Sequence, residues 1–298
     1  MKKNTLTIGT RGSKLALIYA EKVKNELNKI FPNEIKLKKI VTTGDQKQDQ
    51  RLSDIGGKGL FAEQIEKELL NEDIDIAVHA LKDMPTIETE SLLTNNFLKR
   101  NSPNEILISK NNTKFEDLAP DSIIGTSSFR REFQLKKKRS DLKYKLIRGN
   151  VDTRIQKLEN GEFDAILLSK AGIDSLKLQN KITQEFSVDE LIPCAGQGII
   201  AIQCKKNDSE IIDLLEKIND VDSRIVANAE REVLKVLEGD CDTAVGVFAK
   251  ITGGNVELVT ELFSVDGKMR YFIRETVKKD KIETASRMIG EKLKLQSK

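Results

Sequence analysis

Histidine is almost missing from this chain: there is one, His79, in 298 residues. Acid–base chemistry built on imidazole therefore has a single candidate. That candidate stands inside an apolar run, where a hydrogen-bonded core histidine is the better fit. Cysteine is scarce too. Cys194, Cys204 and Cys241 are odd in number and lack metal-ligand spacing, which argues against a structural zinc or a disulfide framework and for a reducing cytoplasm. No apolar run reaches the ~18 residues of a membrane span. Residues 1–14 lack the apolar core of a secretory signal. A dominant charge is also absent: Lys+Arg 50 against Asp+Glu 47 leave +3, too little for a general field that attracts nucleic acid or membrane. Anion binding must come from local clusters.

What is present suits a globular protein of two or three domains. Hydrophobic residues make up 38% and charged residues 33%, and the length allows each domain a core of its own. The organising stretch is IDIAVHALKDMP, residues 74–85. Its near-continuous apolar run predicts a strand buried on both faces, as in a helix-covered parallel sheet. It ends in Lys82-Asp83, and Pro85 blocks an ordinary continuation. Open α/β sheets bind ligands at such strand ends. A solvated Lys-Asp turn is the other reading of the pair alone.

Before it, a first strand is expected over 5–8, with a turn over 9–13 leading into a helix marked by Ala16, Ala20, Val23, Leu27 and Ile30. Ser13 is the expected N-cap, and Arg11 beside the free helix N–H groups makes either a small anion site or a surface arginine. A second strand follows at 35–41. Residues 42–59 are polar, glycine-rich and aperiodic, which suggests a lid or a disordered excursion. Phe61, Ile65 and Leu69 mark the next helix.

Residues 65–77 resemble residues 155–166, and both passages lead to lysine-containing loops, HALKD and LLSKAG. Two similar α/β lobes facing across a cleft are expected, with a crossover near 101–104. In the second lobe, strands over 122–125 and 142–147 each end in capping residues and early arginines. The first junction holds Thr126, Ser127, Ser128, Arg130 and Arg131; the second holds Arg148, Gly149, Asn150 and Arg154. Basic residues at a helix start oppose its dipole, so an anion is expected at both junctions. Arginine suits carboxylate or phosphate, which its fork can grip. The run 136–139 reads as a solvated helix end, not a nucleic-acid patch. Residues 191–203 carry a return crossover, and helices follow over 211–218 and 221–237. Three strands (245–251, 256–263, 269–277) and a helix from 282 make a small α+β third domain, with Cys241 on its opening loop.

The ordered segments TRGSKLAL, TTGD, GGKGLF, DIAVHALKDMP, GTSSFRR, RGNVDTR, AGQG and LEGDC resemble the hydroxymethylbilane synthase (porphobilinogen deaminase) family over nearly the whole chain. The resemblance implies two α/β lobes similar to type II periplasmic binding proteins plus a small C-terminal α+β domain. The implied boundaries are 1–99 with 199–219, 104–193, and 220–298. It implies a cytoplasmic, monomeric transferase that joins four porphobilinogens head to tail with loss of ammonia. The primer would be a dipyrromethane held by a thioether to Cys241. No nucleic acid or membrane is implied as a partner.

Carried over position by position, Asp83 would be catalytic, stabilising the cationic carbon left by the amine and accepting pyrrole N–H bonds. Surrounding guanidinium groups should keep it ionised. Lys82, Thr126, Ser127, Ser128, Arg130, Arg131, Arg148, Gly149, Asn150 and Arg154 would hold cofactor and substrate side chains, with Arg11 and Ser13 beside them. Lys58 and Phe61 would cover the incoming ring. Departures from the family pattern are Asp240, Asp242 and Ala244 around Cys241, where two carboxylates should raise the thiol pKa and slow cofactor loading. Others are Ser175 where arginine is common, with Lys170 or Lys177 as possible substitutes, and Lys14 and Tyr19 in the first helix. The alternative is a non-catalytic two-lobed binding module for an anionic small molecule.

Overall fold

Short apolar strands followed by amphipathic helices build the first two-thirds of the chain. The computed structural model describes residues 4–42, 44, 59–238 and 244–297. It runs β1 (Thr5–Arg11), α1 (Lys14–Asn28), β2 (Glu34–Ile40), α2 (Gly59–Leu70), β3 (Ile76–Ala80) and β4 (Leu92–Phe97). The second lobe follows with β5 (Glu105–Ser109), β6 (Ile123–Gly125), α3 (Phe129–Lys136), β7 (Lys143–Lys145) and α4 (Val151–Glu159). It closes with β8 (Ala165–Ser169), α5 (Lys170–Ser175) and β9 (Gln184–Phe186). The chain then returns through β10 (Ile200–Lys205) and α6 (Ser209–Glu216) to the first sheet. The last unit is α7 (Val221–Val236), β11 (Val245–Thr252), β12 (Asn255–Phe263), β13 (Arg270–Lys278) and α8 (Ile282–Gln296).

The two five-stranded sheets share one plan, β2-β1-β3-β10-β4 and β7-β6-β8-β5-β9. In each, three strands run parallel and the fourth is antiparallel to the third. The short sequence echo between 65–77 and 155–166 thus marks the same helix-to-strand step, α2 to β3 and α4 to β8. β3 is buried as expected, but it is not a strand of a wholly parallel sheet. β1 flanks it in parallel and β10 in antiparallel. A crossover that returns from another lobe sets that direction, and local periodicity does not carry it.

The first turn is also shorter than expected. Gly9, Thr10 and Arg11 belong to β1, paired with Lys38, Lys39 and Ile40 of β2. Gly9 is a packing glycine: a Cβ there would stand 2.4 Å from Ile74 Cδ1 and 2.9 Å from Ile40 Cδ1. α1 places Tyr19, Ala20, Val23 and Leu27 against the sheet at spacings of one, three and four, which is one face of a helix. Strands β4, β5 and β9 were not foreseen, and the expected strand 142–147 shrinks to three residues. The 42–59 stretch falls outside the described residues apart from positions 42, 44 and 59.

The third unit is an antiparallel meander, β11-β12-β13, whose inner face meets α7 and α8. Val226, Val233, Val247, Leu258, Ile289 and Leu293 form its core, and Leu81, Met84 and Phe97 of the first lobe join the same cluster. Buried Glu230 ties these parts together. It accepts from Arg100 Nη1 at 2.6 Å, from Gly196 N at 2.7 Å and from Ala249 N at 2.8 Å. A carboxylate so fully bonded fixes the crossover backbone beside the site.

Candidate ligand cleft

Parallel pairing of β1 and β3 brings their carboxyl ends together, and this is what builds the first wall. β1 ends at Arg11, and β3 passes into a 3-10 turn, Leu81–Asp83. Arg11 Nη1 lies 3.9 Å from Asp83 Oδ2, and the Arg11 guanidinium carbon lies 3.9 Å from the centre of the Phe61 ring. The Asp83 side chain keeps 38% of its surface exposed, so it remains open to a ligand. Arg11, Ser13, Phe61 and Asp83 line one pocket, together with Tyr19 and His79. Ser13 also caps α1, accepting from Ala16 N at 3.3 Å.

Tyr19 is buried, and its hydroxyl pKa is pushed up to about 12, first by burial and then by the Asp83 charge. Ser175 of the other lobe, beside that hydroxyl, pulls the other way. Lys22, one turn further along α1, donates to Ser175 Oγ at 3.3 Å. The side chains that meet Ser175 therefore come from the facing lobe. Lys170 lies 3.3 Å from Glu185 and 3.6 Å from Asp174, while Lys177 is exposed. Lys82 crosses the cleft in the same manner, donating to Ser169 Oγ at 3.3 Å.

The second wall is made by the two arginine junctions, and they differ. At the first, Thr126 is buried and accepts from Ser128 N at 3.1 Å, while Ser128 caps α3 through Arg131 N at 3.4 Å. Ser127 is half-buried between them. The arginines of this junction already hold an acid of the chain's own, Glu105. Arg130 donates to Glu105 Oε1 at 2.6 Å and to the Ile192 carbonyl at 2.6 Å. Arg131 donates to Glu105 Oε2 at 2.7 Å and to the Leu167 carbonyl at 3.1 Å, while its Nε is buried with no partner among the described residues. Burial pushes the Glu105 carboxyl up, but Arg131 and Arg130 outweigh it and hold it well below the usual carboxylate range.

The second junction is built differently. Gly149 has φ +110°, which turns the chain into α4, and a Cβ there would meet Thr153 at 2.9 Å. Asn150 takes the cap position of α4 without a side-chain cap bond and is exposed, and Arg148 is buried. Arg154 Nε donates to the Gly149 carbonyl at 2.8 Å. Burial and then the charges of Arg131 and Arg148 lower the Arg154 guanidinium pKa to about 10, with Asp83 pulling the other way. Three guanidinium groups and Asp83 therefore feel one another. Lys58 and Cys241, with Asp240 and Asp242, lie outside the described residues.

Sequence reasoning missed Glu105, whose short strand EILIS carries no period long enough to read. The expectation of a hydrogen-bonded core histidine holds: His79 is buried and its Nε2 lies 3.1 Å from Gln203 Oε1. Among the described residues no cluster of three His, Cys, Asp or Glu could hold a metal, and no helix is long and apolar enough to cross a membrane.

Two sheet-bearing lobes that aim strand ends, arginines and one aspartate at a shared cleft define a two-lobed α/β protein built for an anionic small molecule. Comparison with known proteins narrows this. Residues 6–213 match the family model described as porphobilinogen deaminase, dipyromethane cofactor binding domain, and residues 225–296 match that of its C-terminal domain. The porphobilinogen deaminase of Chlorobaculum tepidum is 42% identical over 89% of this chain and 86% of that one. The Bacillus subtilis porphobilinogen deaminase is 40% identical over 92% of this chain and 87% of its own. The chain belongs to the porphobilinogen deaminase family. Among solved structures, a Salmonella typhimurium periplasmic binding protein overlays 72% of this chain and 92% of its own, at TM-score 0.44 and 14% identity.

Proposed function

We propose that the chain joins four porphobilinogen molecules head to tail, releasing ammonia at each joining, to give the linear tetrapyrrole hydroxymethylbilane. A dipyrromethane on Cys241 would supply, when bound, the pyrrole end from which the product grows. The observation that carries the reading is the crowding of Arg131, Arg148 and Arg154 near Asp83, with Arg154 lowered to about 10 by burial and by its two neighbours. Like charges pressed together in a half-buried cleft favour the arrival of ligand anions. Porphobilinogen and dipyrromethane carry acetate and propionate groups on every ring. The orphaned, buried Arg131 Nε adds one unsatisfied donor, so the residues present fit a polycarboxylate primer.

The roles follow from position. Arg131, Arg148 and Arg154 bind carboxylates, and Lys82 can exchange its weak serine contact for one. Arg11, stacked on Phe61, orients a substrate carboxylate beside Asp83. As ammonia leaves the aminomethyl carbon, positive charge develops there, and the fixed Asp83 carboxylate stabilises it. The same carboxylate accepts the pyrrole N–H that becomes more acidic as the new carbon–carbon bond forms. The site belongs to a monomer acting on a free small molecule in the cytoplasm, without nucleic acid or membrane; near-balanced charge supports this.

Intact mass under denaturing conditions tests the proposal, using protein from a host that makes tetrapyrroles. The wild-type chain should carry one dipyrromethane and Cys241→Ser none, and the wild type should turn porphobilinogen into hydroxymethylbilane. An unmodified, inactive wild-type chain that still binds porphobilinogen would instead establish the non-catalytic binding module.

A further inference from the structure

The single histidine stands at the end of a buried hydrogen-bond chain that the proposed chemistry has not used. Glu66 on α2 is buried, and its two carboxylate oxygens accept from Thr89 Oγ1 at 2.8 Å and Gln203 Nε2 at 2.9 Å. A carboxylate only accepts, so the Gln203 NH2 group must face Glu66 and the Gln203 carbonyl oxygen must face His79. That oxygen lies 3.1 Å from His79 Nε2. The His79 ring therefore carries its proton on Nε2 and leaves Nδ1 as a neutral acceptor. Among the described residues no donor is bonded to Nδ1, and the atom is not one of the sealed polar atoms that lack a partner. His79 lines the pocket of Arg11, Phe61 and Asp83. Phe61 and Glu66 sit on the same helix, little more than a turn apart.

We propose that His79 contacts substrate, its Nδ1 accepting an N–H of the porphobilinogen bound beside Asp83, with Glu66 and Gln203 as positioning residues that set its tautomer. A neutral acceptor suits this place. It adds a second partner for pyrrole or aminomethyl N–H groups without a second negative charge next to Asp83. Burial agrees: it lowers the imidazole pKa to about 4, so the ring stays uncharged at neutral pH. The inference rests on the reading of this pocket as the porphobilinogen site.

Because the chain has one histidine, ring-nitrogen NMR of the 15N-histidine-labelled holoenzyme reads it without assignment. The wild type should show the Nε2–H tautomer, and adding porphobilinogen to an Asp83→Asn holoenzyme should move the Nδ1 resonance. A ring protonated on Nδ1, or an Nδ1 signal unmoved by saturating porphobilinogen, overturns the proposal. Kinetics separates contact from mere structure. The Asn oxygen reproduces the position of Nδ1, whereas the Gln amide reproduces that of Nε2. His79→Asn should therefore hold KM within about threefold, and His79→Gln should raise it about tenfold, the value of one hydrogen bond. The reverse order would make His79 a structural partner of Gln203 only. Tetrapyrrole formation by the wild type is scored separately, so failure here leaves the proposed reaction standing, and failure of that reaction is visible by itself.

Discussion

Arg130 and Glu105 form a buried ion pair at 2.6 Å, with neither side chain open to the cleft. An arginine placed by its sequence motif at a ligand junction is thus also tied to an acid of its own lobe. Removing the acid leaves two buried guanidinium groups facing each other. Glu105→Gln should lower unfolding free energy by about 3–5 kcal/mol, the usual cost of breaking a buried pair from one side. Urea denaturation of the paired proteins measures it, and a change below about 1 kcal/mol would show that the two arginines are not held by this acid.

Arg154 should behave in the opposite way. Its guanidinium pKa is lowered by burial and by Arg131 and Arg148, so its loss relieves repulsion. Arg154→Ala should leave the unfolding midpoint unchanged or raised, while kcat/KM for porphobilinogen falls about 10- to 100-fold, the worth of a charge-assisted bond to carboxylate. Steady-state rates and a thermal melt on the same preparation suffice.

Gly149 carries the turn that aims Arg148 and Arg154. Its φ of +110° is closed to side chains, and a methyl there would collide with Thr153. Gly149→Ala should cost about 1–3 kcal/mol of stability and reduce turnover as well. Full activity in that variant would mean that the turn tolerates rebuilding.

These contrasts show how far the sequence could be read. Strand ends followed by Lys82-Asp83 or by arginine were visible because apolar runs and capping residues are local signals. The partner of Arg130 was not visible. Glu105 lies 25 residues away in the chain, on a strand too short for a period, and only the pairing of β5 with β8 brings it under α3. The antiparallel β10 and the contact of Lys22 with Ser175 are likewise products of lobe packing. His79 was legible as a hydrogen-bonded core residue because its strand is apolar, and its partner Gln203 comes from the returning β10.

Acid should destabilise the fold in two windows. The His79 pKa falls from 6.5 to about 4 on folding, first through burial, so the unfolded chain takes up a proton that the folded one refuses. Stability contributed by the neutral ring is present above 6.5 and is lost as pH falls toward 4, by about 3 kcal/mol in all. Glu105, held below the usual carboxylate range by Arg131 and Arg130 against burial, adds a second loss at still lower pH. Denaturant curves between pH 7 and pH 4.5 should show a shallower decline in His79→Asn than in the wild type; parallel declines would remove His79 from the acid response.

Asp83 is the sharpest case, because its charge and its geometry can be separated. Arg11 stands 3.9 Å from it, and the carboxylate keeps more than a third of its surface open. Asp83→Asn preserves shape but removes the negative charge that the proposed reaction sets against the developing cation. Turnover should fall by about 10²–10³-fold, the usual loss when one preorganised electrostatic group is deleted. Dipyrromethane loading, read by denatured mass, should persist, since the arginine wall is untouched. Glutamate at this position keeps the charge but moves it outward by one methylene, so Asp83→Glu should recover part of the rate. If Asn and Glu variants lose equal activity, position outweighs charge, and Asp83 would be a binding group for the ring N–H.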